Sequence, residues 1–175
     1  MRLFAGDADF MQTPQSELRL RGTGSRSEDT EQPESLPDKY ESGTPNTPGI
    51  AGLLGGLRFI ERVGLDEIAR KKGAAKRRIL DGLSRIERVR VYGDPEKRQS
   101  LPIILINIEG VEPSDAGYAC NKADICVRVG LHCTPLSHRT LGTFPRGAVR
   151  ISPGYFTEDR EVDRLLEVLS AIAAR

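Results

Sequence analysis

The sequence has 175 residues, with 26 Lys and Arg set against 25 Asp and Glu for a formal net charge of +1. That balance argues against nucleic-acid binders and polybasic membrane-surface proteins, which rely on a large one-signed field. At 38% hydrophobic and 29% charged residues, the composition predicts one domain with a modest core and an extended arm.

Residues 1–20 form an unmatched N-terminal tail. From Gln12 to Asn46 the chain is rich in Ser, Thr, Pro, Glu and Gly, and its isolated apolar residues follow neither helical nor strand spacing. Such a segment buries little surface by itself, so residues 21–47 are expected to be an extended or partly disordered joining segment. Within it, Gly22–Ser25 and Gly43–Thr47 are loops whose free N–H groups and hydroxyls can cradle an anion, the second leading into a helix.

The globular text begins after Thr47. Thr47 reads as an N-cap with Pro48 at the first helical position. Ile50, Leu53, Leu54, Leu57, Ile60 and Val63 then share one helix face, and Gly64 ends it. A second helix is predicted from about Asp66 to Ile86, with Ile68, Ile79, Leu80, Leu83 and Ile86 inward. Its outer face carries Arg70-Lys71-Lys72 and Lys76-Arg77-Arg78 and is expected to be solvated.

Strands follow. Val89 and Val91 alternate with Arg88 and Arg90 before a turn at Gly93-Asp94-Pro95. Leu101 to Ile108 is nearly all apolar and reads as a strand buried on both faces, with Pro102 at its start or an edge. Pro113 opens a short helix to about Lys122, and Ile125, Val127 and Val129 alternate as a strand. Val149 and Ile151 predict a last strand. Thr157 is expected to cap a C-terminal helix with Val162, Leu165, Leu166, Leu169 and Ile172 inward. The whole reads as α/β, a mixed sheet with helices on one side.

No apolar run approaches the roughly 20 residues that span a bilayer. The charge-free stretch Pro48 to Leu57 is ten residues long and holds four Gly. Acids in MRLFAGDADF leave no apolar signal-peptide core, and an odd three Cys favours free thiols in a reducing compartment. A cytoplasmic protein is therefore expected.

The densest polar constellation is Arg128-Val-Gly-Leu-His132-Cys133-Thr-Pro135, directly after a strand. A thiol at a strand end, beside an imidazole and near an Arg, is set up to react as thiolate. The plain alternative is a small buried hydrophobe next to a surface His, and Cys120 and Cys126 are both expected in the core. Cys120, Cys126, His132, Cys133 and His138 also raise zinc, but they lack the two-residue gaps that present paired ligands, so no metal is assigned. Arg150, between Val149 and Ile151, needs either an internal acid or a ligand carboxylate.

Four segments, ESGTPNTPGIAGL, VRVYGDPE, VRVGLHCTPL and VRISPGYF-x4-EVDRLL, occur in this order. Together they resemble the C-terminal part of the class V aminotransferase family, in particular its cysteine desulfurases. The resemblance covers residues 21–175, with 48–175 as the aminotransferase class V C-terminal domain, the small domain of the fold type I (aspartate aminotransferase-like) architecture. It implies a homodimer dependent on pyridoxal 5'-phosphate that converts L-cysteine, or selenocysteine, with no nucleic-acid or membrane partner. By motif, Cys133 resembles the thiol that takes up substrate sulfur as a persulfide, and Arg150 the clamp on the substrate carboxylate. Arg128 and His132 line the same substrate loop. Gly43 and Thr44 resemble the loop that reaches the cofactor phosphate across the dimer.

No segment of these residues resembles the family's N-terminal domain with its imine-forming Lys. Lys39, in LPDKY, lacks the preceding His of that motif. The expected protein is thus a truncated desulfurase, inactive unless a complementing large domain is supplied. The alternatives are a non-catalytic sulfur acceptor or binding module, or a nonfunctional remnant. The sulfur acceptor itself stays unassigned.

Overall fold

The computed structural model describes Glu28 and residues 33–40, 43–94 and 101–174. The tail 1–20, the Gly22–Ser25 loop and Pro95 lie outside the described residues. Two compact units meet between Arg58 and Phe59, inside the first long helix, and each is taken by itself.

In the first unit, a 3-10 turn over Asp38–Tyr40 precedes the start of helix α1 (Thr47–Val63). Asn46, not Thr47, is the cap: its Oδ1 accepts the Gly49 N–H at 3.0 Å, which places Pro48 one position further into the helix. Gly64, at φ 85°, ends α1 as predicted, since a left-handed residue cannot continue the helix. The apolar stripe of α1 does share one face, but Ile50, Leu53, Leu54 and Ile60 are exposed.

The second unit is a four-stranded sheet in the order β1 (Val89–Tyr92), β2 (Ile104–Ile108), β4 (Ala148–Ile151), β3 (Arg128–Gly130). Every pairing is antiparallel, so the predicted mixed sheet is corrected. Period-two patterns fix strand positions but not strand directions, which depend on the connections. Register places Val89, Val91, Ile104, Ile106, Ile108, Val149 and Ile151 on one face.

Helices α2 (Leu65–Leu83), α3 (Pro113–Lys122) and α5 (Asp159–Ala173) build the core on that face with Ile79, Leu83, Cys120, Val162, Leu165, Leu169 and Ile172. The one-sided helical layer explains a second correction. β2 is buried on alternate residues, Ile104, Ile106 and Ile108, with Leu105 and Asn107 only half-buried on the opposite face.

Three further expectations change. Lys76 lies buried although it belongs to the supposed outer basic face. Arg78 on that face pairs with Asp163 of α5 at 2.7 Å, so the helix pair uses part of the basic run internally. Cys126 is exposed and precedes β3, which begins only at Arg128. Thr157 does not cap α5. Its Oγ1 instead accepts the Gly154 N–H at 2.9 Å, and the Glu158 N–H donates to Glu161 Oε2 at 2.8 Å at the helix start. No described helix is long and apolar enough to cross a membrane.

Candidate active site

β3 and β4 carry the site. Because Val129 pairs with Val149 on the helical side, the residues flanking them point the other way. Arg128 and Arg150 are thereby cross-strand partners on the open face. Register puts Arg90, Tyr92, Leu105 and Asn107 on the same face. Asn107 Nδ2 donates to the Gly147 carbonyl at 3.1 Å and lies 3.4 Å from the Tyr92 hydroxyl, while its Oδ1 is buried without a partner among the described residues.

Arg150 is half-buried, and its Nε is buried with no hydrogen-bond partner among the described residues. Among the described residues no acid pairs with it, so the internal carboxylate that sequence allowed is not found there. An Arg donor left orphaned beside a second Arg fits an incoming carboxylate, which accepts the guanidinium fork bidentately.

The loop after β3 is sharply bent. His132 and Cys133 both hold positive φ, 50° and 59°, a backbone region that non-glycine residues seldom adopt. Consecutive left-handed residues cost about 1–3 kcal/mol each and persist only where the surroundings over-determine them, commonly at functional sites. Here Thr134 closes the turn twice, its N–H and its hydroxyl donating to the Leu131 carbonyl at 2.9 and 3.0 Å. Pro135 then starts α4 (Pro135–Thr140). The bend leaves Cys133 exposed.

His132 turns inward instead. Its Nδ1 lies 3.3 Å from His138 Nε2, and His138 Nδ1 lies 2.7 Å from the Thr143 hydroxyl. His138 and Thr143 are both buried, and His132 Nε2 is buried without a partner among the described residues. Burial foremost pushes the His132 pKa below its ordinary value of 6.5; a hydrogen bond to the Arg128 backbone, next in size, opposes it, and the charges of Arg150, His138 and Arg128 lower it further. The folded environment therefore disfavours the imidazolium form.

The structure thus brings Arg128, His132 and Arg150 together, with Cys133 next along the chain from His132. Gly43 and Thr44 fall in the first unit. Gly43 has φ 76° and Thr44 is exposed. Sequence reasoning missed three residues. Asn107 hid within an apolar run, His138 was weighed only as a zinc ligand, and Thr143 carried no motif. The alternation polar–apolar at Asn107 in an otherwise buried strand was the available signal. Among the described residues, no three His, Cys, Asp or Glu converge as a metal site. A groove of about 540 Å³ takes in Cys126, Pro153, Thr157 and Arg160 and none of the loop residues.

A small antiparallel sheet with one helical layer and an exposed thiol loop at its edge defines the small domain of a fold type I, aspartate-aminotransferase-like protein. The chain belongs to the aminotransferase class-V family, whose sequence model matches residues 15–165. It is 42% identical over 98 residues to a probable cysteine desulfurase of Halalkalibacterium halodurans, which covers 56% of this chain and 23% of that protein. A probable cysteine desulfurase of Pyrococcus abyssi is 29% identical over 136 residues, covering 78% of this chain and 33% of that one. Among solved structures, the apo cysteine desulfurase from Thermococcus onnurineus NA1 superposes with a TM-score of 0.71 at 33% identity, over 79% of this chain and 34% of that chain. The chain therefore spans between about a quarter and a third of the length of these relatives.

The family implies pyridoxal 5'-phosphate. An aldehyde cofactor held as an imine needs a lysine amine beside its ring and an anion cradle for its phosphate. The described lysines do not meet the first need. Lys39 is ion-paired to Glu34 at 2.9 Å, Lys71 lies 4.5 Å over the Tyr155 ring, and Lys122 lies 5.0 Å over Tyr118. Lys72 and Lys76 stand on α2, in the helical layer, away from the open arginine face. The described residues do not by themselves make a cofactor site.

Proposed function

We propose that this chain supplies the sulfur-accepting and carboxylate-binding part of a cysteine desulfurase and does not turn over L-cysteine alone. The observation that carries this reading is Arg150, whose Nε is buried without a hydrogen-bond partner among the described residues, opposite a second Arg and within electrostatic reach of the residue preceding an exposed thiol. Arg150 takes the carboxylate of L-cysteine or selenocysteine, and Arg128 adds charge that favours an anion. Cys133, at the tip of a rigid bend, receives the sulfur. Its thiolate attacks the outer sulfur of a donor persulfide, the S–S bond of the donor breaks, and the donor leaves as a thiol after taking up a proton. Breaking the C–S bond of cysteine is left to residues that this set does not contain. Gly43 and Thr44 would contribute to the phosphate loop of the completed enzyme, and a homodimer or a complementing large domain would complete it.

The positions of the described lysines support a second reading, in which the domain serves only as a sulfur acceptor. Two assays separate the readings. The purified chain with L-cysteine and pyridoxal 5'-phosphate is expected to release no alanine above the blank. Adding a large domain that carries the imine lysine is expected to restore alanine release in a Cys133-dependent manner. Restoration without dependence on Cys133 would reject the role of the thiol, and persulfide loading of Cys133 without restoration would favour the acceptor reading. Robust turnover by the chain alone would overturn both.

A further inference from the structure

One cross-strand row on the open face of the sheet joins Arg150 to a phenol. Register pairs Tyr92 with Leu105, Leu105 with Arg150 and Arg150 with Arg128, so the four stand in line across β1, β2, β4 and β3. We propose that Tyr92 is a second carboxylate-binding residue of this face, its hydroxyl aimed by Asn107 so that the phenol hydrogen goes to the anion held by Arg150.

The direction of that hydrogen follows from the Asn107 amide. Asn107 Nδ2 lies 3.1 Å from the Gly147 carbonyl and 3.4 Å from the Tyr92 hydroxyl. A carbonyl only accepts, so the amide nitrogen, and not the amide oxygen, must face Gly147. The same nitrogen then faces Tyr92. An amide nitrogen only donates, so the phenol oxygen accepts there and keeps its one hydrogen for another partner. Asn107 Oδ1 does not take it, being without a partner among the described residues. No other described residue accepts from the Tyr92 hydroxyl. The Arg90 guanidinium, 5.1 Å from the centre of the Tyr92 ring, adds positive charge beside it, which favours an anion as that partner.

The placement suits a single carboxylate. β1 and β4 are two strand spacings apart, roughly 10 Å, with only Leu105 between Tyr92 and Arg150 in the row. The Tyr92 hydroxyl covers part of that gap, because the one amide nitrogen that meets it also meets the β4 backbone at Gly147. Leu105 brings no polar group to compete, and none of the four strands holds an acid. A guanidinium on one side and a phenol on the other give the carboxylate oxygens separate donors. The anion at Arg150 rests on the function proposed above, while the orientation of the hydroxyl does not.

The chain has four Tyr, so labelling Tyr with 13C at Cζ gives four signals, and Tyr92→Phe identifies one of them. The probe is sodium acetate, titrated at constant ionic strength against chloride. In the wild type the Tyr92 Cζ and Arg150 Nε–H signals are expected to shift along one saturation curve, and the Tyr92 shift should vanish in Arg150→Gln. Acetamide, the neutral isostere, should move neither. Tyr92→Phe keeps the ring over which Arg90 lies and should weaken acetate binding about tenfold, the loss of one hydrogen bond to a charged group. Asn107→Leu should weaken it too but add nothing in the Tyr92→Phe background. An additive loss would make Asn107 a general support of the sheet and overturn its aiming role. If Asn107→Leu fails to fold, Tyr92→Phe decides alone. Acetate binding that needs Arg150 but is unchanged in Tyr92→Phe overturns the proposal and leaves the carboxylate role of Arg150 standing. No saturable acetate shift in the wild type overturns both.

Discussion

Arg128 and Arg150 stand directly opposite each other across the β3–β4 pair, with Arg150 Nε buried and unpartnered among the described residues. Like charges in register destabilise a sheet by roughly 0.2–1 kcal/mol. Arg128→Gln is therefore expected to raise the urea midpoint modestly in dilute buffer. Arg150→Gln should do the same and should also abolish stabilisation by acetate, which binds the native state of the wild type. Denaturation curves with and without acetate check this. A wild type indifferent to acetate would count against an anion site.

His132 makes stability depend on pH in a defined direction. Its pKa is lowered in the folded state, so the unfolded chain binds the extra proton over the window just below 6.5. Stability must then rise with pH through that window and fall as pH drops below the ordinary imidazole value. Denaturant midpoints between pH 5 and 7.5 are expected to rise in the wild type. His132→Gln should flatten the part of the curve nearest pH 6.5 while leaving the carboxylate-driven fall at lower pH.

The three thiols should separate by access. Cys120 is fully buried, and burial pushes its pKa up, whereas Cys126 and Cys133 are exposed. Iodoacetamide mapping of the native protein is expected to label Cys133 and Cys126 and to spare Cys120 until denaturant is added. Under a persulfide donor the proposed function predicts that Cys133 outruns Cys126. Equal loading of the two would leave mere exposure as the explanation.

Gly147 fixes the distance between β4 and the end of β3. It holds φ 79°, and a Cβ there would overlap the Gly130 backbone. Gly147→Ala should cost about 2 kcal/mol or more, since neither backbone can yield freely. In the core, Leu169→Ala removes a fully buried side chain and is expected to cost about 2–5 kcal/mol. The two losses can be told apart by their site effects. Gly147→Ala should disturb the Asn107 bond to its carbonyl and the thiol loop beyond β3, read as a changed Cys133 alkylation rate, and Leu169→Ala should not.

By itself the sequence determined the order of the strands and longer helices, the buried stripe of α5, the stop at Gly64 and the family, because side-chain periodicity and fixed motifs are local properties. It also pointed to Arg128, His132, Cys133 and Arg150 as one neighbourhood. What it could not decide were relations between distant segments. The antiparallel sheet, the half-open β2 that turns Asn107 outward, and the burial of Lys76 follow only once α2, α3 and α5 occupy one face. The cap at Asn46 and the turn at Thr157 depended on side-chain geometry within one or two residues, finer than any pattern resolves. Most of all, the opposition of two arginines and the row of Thr143, His138 and His132 exist because strand register and a bent loop bring them within a few ångströms. Electrostatics and hydrogen bonding act over those distances in space, not along the chain, so tertiary structure alone could assign them.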